Sequence, residues 1–358
     1  DCKLMMSETS LSFDAAVCIG RFQPPHRGHL ALVRQALACA PWAVVVLGSA
    51  FQARTPKNPF SAAERAEMIR AALPEAERAR VLFVPVRDVY DEPRGARSVR
   101  DGVSAALAGQ GVPAVSVALV GHFKDPTSEY LNAFPQWRLQ RLARVEAPDG
   151  TAVRDALFGA AGGDVAAALA PLAEALPDST RQFLQTWSLR PEFATMELEW
   201  RMLRDYHAAW AVAPYPPVFV TVDAVVTCAR HVLLIERGQS PGKGLLAVPG
   251  GFIEQRETVM QSTLRELEEE TALAVSPEAL QRAWRRTTVF DHPDRSQRGR
   301  MITHASWFDL GDGPLPAAHA GDDAASLRWW PLEQLAALED RFHDDHFHML
   351  DHFLEFMP

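Results

Sequence analysis

Cysteine is scarce in this chain, with 4 in 358 residues (Cys2, Cys18, Cys39 and Cys228), and no two of them form a CxxC pair. That spacing excludes a disulfide framework and a thiolate zinc site. Cys18 lies in an apolar run, so buried free thiols are expected. Basic charge is also short: 36 Lys and Arg face 45 Asp and Glu, a net of −9, which argues against a nucleic-acid coat. It does not argue against small phosphorylated ligands, because a few arginines or a bound cation set the field inside a pocket. Long apolar runs are missing as well. The longest are strand-sized, far short of the ~20 residues that cross a bilayer as a helix. The opening DCKLMMSETS has no apolar stretch of the kind a secretory leader carries, and without a starting Met its first few residues are expected to be additions for expression. The expectation is a soluble cytoplasmic protein with no membrane and no nucleic-acid partner; a homo-oligomer is compatible with the sequence.

What is present is a chain too long for one typical core, with 47% hydrophobic residues. Its first half alternates. AAVCIG (15–20), AVVVLGS (43–49), RVLFVPV (80–86) and AVSVALVG (114–121) read as buried parallel strands. HLALVRQALACA and SAAERAEMIRAAL (61–73) between them have helical spacing, the latter opened by a Ser61/Glu64 capping box. This order predicts a doubly wound parallel sheet, in which ligands bind beyond the carboxyl ends of the strands. An Ala-rich helical stretch covers 159–188, and TMELEWRMLRDYHAAWAV (195–212) reads as one amphipathic helix stopped by APYPP. The strands that follow, with few helices, predict an α+β domain built on a mixed sheet between helices. The expected division is an extension over 1–14, a first domain over 15–190, a linking helix and Pro-rich linker over 191–216, and a second domain over 217–358.

The stretch GRFQPPHRGHL (20–30) stands where the first strand hands over to a helix. Gly20 and Gly28 allow close backbone approach to a ligand or positive φ. The helix start beyond them offers free N–H groups to an anion. His26 and His29 can face one phosphate, and Arg21 adds a fixed charge with bidentate geometry. No nucleophilic triad accompanies them, so the cluster suits stabilisation of charge on phosphate. The pattern GxFxPxHxGH, including Phe22, resembles the HxGH nucleotidyltransferase superfamily of Rossmann-like fold. The histidine motif by itself leaves pantetheine-phosphate, cytidylyl and nicotinamide-nucleotide transferases open.

LGSA (47–50) with NPFSAAER (58–65), which contains Asn58, resembles the archaeal-type nicotinamide mononucleotide (NMN) adenylyltransferases. GTAVRDAL (150–157) is similar to their second ATP signature, which implies triphosphate binding by Thr151 and Arg154; Thr151 is also a candidate helix N-cap. VGHFKD (120–125) places His122, Lys124 and Asp125 at a strand end near the expected crevice. The resemblance implies transfer of AMP from ATP to NMN with release of pyrophosphate. Arg21, His26, His29 and Arg154 would stabilise the reacting phosphates, with Mg²⁺ on those phosphates.

Residues 250–273, GGFIEQRETVMQSTLRELEEETAL, carry a second pattern. Glu266, Glu269 and Glu270 fall at i, i+3 and i+4, on one helical face, and three such like charges suit a hard divalent cation, Mg²⁺ or Mn²⁺. Met260, Leu264 and Leu267 fall on another face. With Gly251, Glu257 and Arg265 the spacing resembles the Nudix box; six fixed positions match by accident only about once in 10⁷ starts at average composition. Metals on the three glutamates would activate water, while Glu257 and Arg265 orient the helix. Ala272 stands where that family usually has Gly, at an expected cost of about 1 kcal/mol if positive φ is needed. TTVFDHPDRSQRGRMITHASWF (287–308) and GDDAASLRWWP (321–331) resemble the ADP-ribose pyrophosphatases fused to such transferases. In the first of these stretches Arg295, Arg298 and Arg300 are candidate phosphate ligands or members of an exposed basic hairpin, and in the second Trp329 and Trp330 are candidate packing residues. The whole therefore resembles the bifunctional NMN adenylyltransferase/Nudix family, with ATP, NMN, NAD and ADP-ribose as small-molecule partners. Hydrolysis of NADH or a diadenosine polyphosphate, or mere sensing of ADP-ribose, remain alternatives for the second half.

Overall fold

The computed structural model describes residues 13–112, 116–121, 132–142, 149–321 and 324–357. Contacts divide the chain into two compact units, one of residues 1–51 and 56–194, the other of residues 52–55 and 195–358.

The first unit is built on five strands: β1 (Ala15–Gly20), β2 (Trp42–Leu47), β3 (Val81–Pro85), β4 (Val117–Gly121) and β5 (Arg138–Arg141). All pair in parallel, in the order β3-β2-β1-β4-β5. Alternate residues of β1 serve opposite layers. Ala16 and Cys18 pack with Leu30, Val33 and Ile69 on one face, while Ala15 and Val17 pack with Val99, Val103 and Leu107 on the other. The helices supplying those layers are α1 (Arg27–Cys39) and α2 (Ala62–Ala71) on one side and α4 (Glu92–Ala108) on the other; α3 (Glu75–Arg78) is a single turn. This is the expected doubly wound sheet. The chain winds outward from β1 to β3 and returns to the other side of β1 as β4, so the switch point lies beyond the carboxyl ends of β1 and β4.

The capping box of α2 forms as the sequence predicts: the Ser61 N–H donates to Glu64 Oε2 at 2.8 Å and the Glu64 N–H donates to Ser61 Oγ at 3.2 Å. The Ala-rich stretch is less regular than expected. After α5 (Gly150–Phe158) come only α6 (Val165–Leu169), flanked by short 3₁₀ turns, and α7 (Asp178–Trp187). Gly162 and Gly163 adopt positive φ, and Pro171 and Pro177 interrupt helical hydrogen bonding. Helix α8 (Pro191–Trp210) begins four residues before the predicted start.

In the second unit β6 (Val218–Cys228), β7 (His231–Arg237), β10 (Trp284–Phe290), β11 (Arg300–Asp309) and β12 (Ala324–Pro331) form a mixed sheet in the order β10-β11-β6-β7-β12. Here β8 (Leu246–Ala247) pairs with β7, and β9 (Gly250–Phe252) pairs with β6. Only β6 and β11 run parallel; the other pairs are antiparallel. Helices α9 (Val259–Thr271) and α10 (Pro277–Ala283) supply Leu267, Leu280 and Ala283 to one core layer, with Met260 and Leu264 partly buried against it. Helix α11 (His346–Leu354) supplies Phe347, Leu350 and Phe353 to the other. Trp329 and Trp330 pack against these two layers.

Candidate active sites

The loop after β1 folds back on itself. Gln23 anchors it: the side-chain amide donates to Phe60 O at 2.8 Å and its Oε1 accepts from Phe60 N at 3.0 Å, tying the loop to the turn that holds Asn58. His26 caps α1, and its N–H donates to His29 Nδ1 at 3.3 Å. The two imidazoles stack with centroids 3.7 Å apart. The structure thus brings the two motif histidines together at the start of α1.

Two details correct the sequence reading. Neither Gly20 nor Gly28 adopts positive φ; the left-handed residue is Phe22, at φ 53°. A Cβ at Gly20 would lie 3.1 Å from the Phe22 ring, and one at Gly28 would lie 3.0 Å from His26, so both glycines make room for the loop's own rings. Phe22 is 1% exposed and packs beside His29 at 4.7 Å. Its ring is part of the core and supports a motif histidine.

Helix α5 reaches the same loop. Its N-cap is Asp149, whose Oδ1 accepts from the N–H groups of Thr151 and Ala152 at 3.0 Å, so Thr151 itself is not the cap. The Thr151 hydroxyl accepts from Arg154 Nη2 at 3.1 Å, and Arg154 Nη1 donates to Gln23 O at 2.5 Å. Burial, and then the nearby positive charge of Arg21, bring the Arg154 guanidinium down to about 10. A buried guanidinium whose charge is disfavoured by burial and by a neighbouring arginine, tied to the loop that carries His26 and His29, is a group that an anion would stabilise. His122, Lys124 and Asp125 lie outside the described residues.

Sequence reasoning overlooked what holds the backbone of this loop. Arg65 is fully buried, and its Nη1 donates to the carbonyls of Arg21 and Gly48, both at 2.6 Å. Asp88 Oδ1 accepts from the Ser49 N–H at 2.9 Å, and its Oδ2 accepts from the Ser49 hydroxyl. The available signal was a charged residue at a core-facing position of α2.

In the second unit Arg265 is the hub. Its Nε donates to Glu257 at 3.0 and 3.2 Å, and its Nη1 donates to Glu266 at 2.9 Å and to Glu269 at 2.8 Å. Nη2 adds a bond to Phe252 O at 3.3 Å. Burial lowers the Arg265 pKa, but the bonds to Glu257, Glu266 and Glu269 outweigh it and hold the group above its ordinary value. Glu257 also accepts from Ser262 Oγ at 2.7 Å. Gly251 has no room for a side chain: a Cβ would sit 2.5 Å from the Glu266 carboxylate. Glu270 turns inward, accepts from Gly250 N at 2.9 Å, and is only 6% exposed. Desolvation first, and then the neighbouring charges of Glu266 and Asp223, push its carboxyl up to about 8, against the hydrogen bond from Gly250 and the charge of Arg237.

Among the described residues no three His, Cys, Asp or Glu side chains already converge as a cage for a metal ion. The donor set nonetheless fits a hard cation. One guanidinium meets three carboxylates, a fourth lies buried beside them, and the missing Cβ of Gly251 leaves space at Glu266. Asp223, which acts on the charge of Glu270, is a neighbour that the sequence reading missed. This buried carboxyl, raised to about 6 by desolvation, accepts from Thr303 Oγ1 and lies 2.5 Å from where a Cβ of Gly250 would be. A lone acid inside the apolar run VFVTVDAVV was the signal.

The arginines of the β10–β11 hairpin are otherwise employed. Arg295 is buried and makes a bidentate pair with Asp345, Nε to Oδ2 at 2.9 Å and Nη2 to Oδ1 at 2.7 Å, so it is a core ion pair and not an open phosphate ligand. Arg300 donates to Asp291 O and closes the hairpin. Arg298 lies 5.5 Å from the centre of the Phe252 ring. Ala272 does adopt the left-handed conformation at the end of α9, with φ 38° and ψ 45°.

Comparison with known proteins agrees with this geometry. Residues 17–93 match the cytidylyltransferase-like family and residues 217–353 match the NUDIX domain. A nicotinamide/nicotinic acid mononucleotide adenylyltransferase of Acinetobacter baylyi is 35% identical over 190 residues, 53% of this chain and 94% of that protein. An ADP-ribose pyrophosphatase of Methanocaldococcus jannaschii is 37% identical over 119 residues, 33% of this chain and 65% of that protein. A bifunctional NMN adenylyltransferase/ADP ribose pyrophosphatase of Francisella tularensis, solved with AMP and a manganese ion, superposes with a TM-score of 0.87 at 32% identity. Because that likeness extends over 96% of this chain and 99% of the other, the chain belongs to the bifunctional NMN adenylyltransferase/ADP-ribose pyrophosphatase family.

Proposed function

We propose that the first unit transfers AMP from ATP to NMN, giving NAD and pyrophosphate, and that the second hydrolyses ADP-ribose to AMP and ribose 5-phosphate. The observation that supports the first half is that Arg21, His26 and His29 lie on the loop and helix start that follow β1, at the switch point of a parallel sheet, and that Arg154 donates to the same loop at Gln23 O. In the transfer an oxygen of the NMN 5′-phosphate forms a bond to the α-phosphorus of ATP as the bond to pyrophosphate breaks. Charge moves onto the departing phosphates. Arg21 and Arg154 neutralise it, and His26 and His29 donate to phosphate oxygens from the start of α1. Thr151 orients Arg154. Catalysis rests on positioning and preorganised charge, with no covalent intermediate on the chain. Mg²⁺ would be held here by the triphosphate oxygens and would neutralise part of their charge.

In the second unit Glu266, Glu269 and Glu270 would hold Mg²⁺ or Mn²⁺, which when bound activates water and neutralises the leaving phosphate. Arg265 and Glu257 fix the direction of the first two carboxylates, and Gly250 N fixes the third. Described cysteines Cys18, Cys39 and Cys228 are free thiols, which fits a reducing compartment such as the cytoplasm. Purified protein given ATP, NMN and Mg²⁺ should yield NAD and pyrophosphate in equal amounts. Given ADP-ribose, it should yield AMP and ribose 5-phosphate. CTP used in preference to ATP, or NADH cleaved with ADP-ribose left intact, would refute the corresponding half.

A further inference from the structure

Arg65 is 0% exposed, yet its hydrogen bonds run to backbone carbonyls: Arg21 O and Gly48 O at 2.6 Å, Ser49 O at 3.3 Å and, through Nε, Ser61 O at 3.3 Å. A buried cation is costly, and a hydrophobic side chain of similar size would fill the space at α2 without that cost. What the guanidinium adds is reach to several acceptors in fixed directions, which neither an apolar residue nor lysine supplies. Its four acceptors lie on three separate pieces of backbone. One follows β1 and carries Arg21, one follows β2 at Gly48–Ser49, and one opens α2.

The backbone it grips is strained. Phe22, Ser49 and Phe51 all adopt positive φ, at 53°, 51° and 70°, although none is glycine. Such conformations are unfavourable for a residue with a Cβ and persist only where neighbours over-determine them. Two devices do so here. Asp88 takes both the N–H and the hydroxyl of Ser49. Arg65 takes the carbonyls on either side of the crossing, where Gly48 N also donates to Gly20 O at 3.0 Å. A Cβ at Gly48 would lie 3.7 Å from Gly20 O and 4.0 Å from Arg21 Cγ, so the two loops are in direct contact at this point. Burial lowers the Arg65 pKa to about 10, with the charges of Asp88 and Glu64 opposing that fall, so the group stays charged at neutral pH.

We infer that Arg65 is a positioning residue for the adenylyl transfer: through these carbonyls it fixes the backbone of Arg21 and of the Gly48–Ser49 turn. The inference rests on the transferase reading above. It concerns the rate of the chemical step more than ground-state affinity, because a displaced Arg21 still attracts phosphate but no longer meets the charge that develops during transfer.

Arg65→Ala and Arg65→Lys in the full-length protein test it, with hydrolysis of ADP-ribose as the internal control. Both variants should hydrolyse ADP-ribose at the wild-type rate. Arg65→Ala should lose roughly 10²–10³ in kcat for NAD formation while KM for ATP and NMN changes less than about threefold. Guanidinium chloride at low millimolar concentration should restore part of that rate, and Arg65→Lys should remain at least about tenfold below wild type because lysine cannot span the carbonyls. A purely structural role would lower the fraction of active enzyme, with no rescue by guanidinium. Should Arg65→Ala fail to fold, the Lys variant decides alone. A wild-type kcat in the folded Lys variant, or a loss confined to KM, overturns the inference. Absence of NAD formation by the wild-type protein would instead overturn the transferase reading on which it stands.

Discussion

Replacing Arg295 by Met strips the buried Asp345 carboxylate of a bidentate partner while nearly keeping side-chain volume. Both side chains are almost wholly inaccessible, at 4% and 3%, so neither charge can turn to solvent. Breaking such a pair by removing one member costs about 3–5 kcal/mol, because the remaining charge stays buried without compensation. At roughly 2–4 °C per kcal/mol for a domain of this size, the unfolding transition of the second unit should fall by about 10 °C. The double variant Arg295→Met/Asp345→Leu should recover most of that loss, since a buried pair replaced by apolar residues is often neutral. Differential scanning calorimetry of the full-length protein reads both effects, and ADP-ribose hydrolysis below the transition should keep its wild-type KM. An unmoved transition together with a raised KM would refute the reasoning and return Arg295 to the role of phosphate ligand that its sequence context suggests.

Other expectations follow from the same contacts. Ala272→Gly should stabilise the second unit by about 1 kcal/mol in denaturant unfolding, because glycine adopts φ 38° without the Cβ penalty. Glu270 is raised from 4.5 to about 8, so it binds a proton in the folded state that the unfolded chain releases, and the stability it contributes is lost as pH rises towards 8. Buried His343 and His346 are lowered well below 6.5 and act in the opposite sense, losing stability on acidification, so the glutamate's share between pH 6.5 and 8.5 is read as the difference between the wild type and Glu270→Gln. Without metal the second unit should weaken across that window by about 2 kcal/mol, and Mn²⁺ should restore the melting temperature most at its upper end. A flat profile with and without Mn²⁺ would remove Glu270 from the cation cluster. Glu257→Gln should slow ADP-ribose hydrolysis by loosening Arg265, and a kcat within twofold of wild type would deny Glu257 that role.

The strands of the first sheet were legible because parallel strands buried on both faces leave unbroken apolar runs, as VCIG and AVVVL do. β5 was not, since its four residues, RLQR, lie at the sheet edge and carry no such run. The helix of the second site was legible down to its faces: a period of 3.6 residues separates Leu267 from Glu266 and Glu269 regardless of context. What the sequence concealed depends on long-range partners. Arg295 reads as one of three loop arginines until Asp345, fifty residues on, is seen to pair with it. Phe22 reads as part of a ligand motif until its ring is found in the core. Arg65 was marked only by its core-facing place on α2, because its carbonyl acceptors lie on three pieces of backbone that the sequence does not show to be adjacent.

Two single substitutions, assayed for both reactions in one full-length protein, bear on the two-site reading most directly. His29→Ala should lower NAD formation by roughly 10²–10³ and leave ADP-ribose hydrolysis at the wild-type rate, while Glu266→Gln should do the reverse. Near-normal transfer by a folded His29→Ala protein, or unimpaired hydrolysis by Glu266→Gln in Mg²⁺ or Mn²⁺, would contradict it.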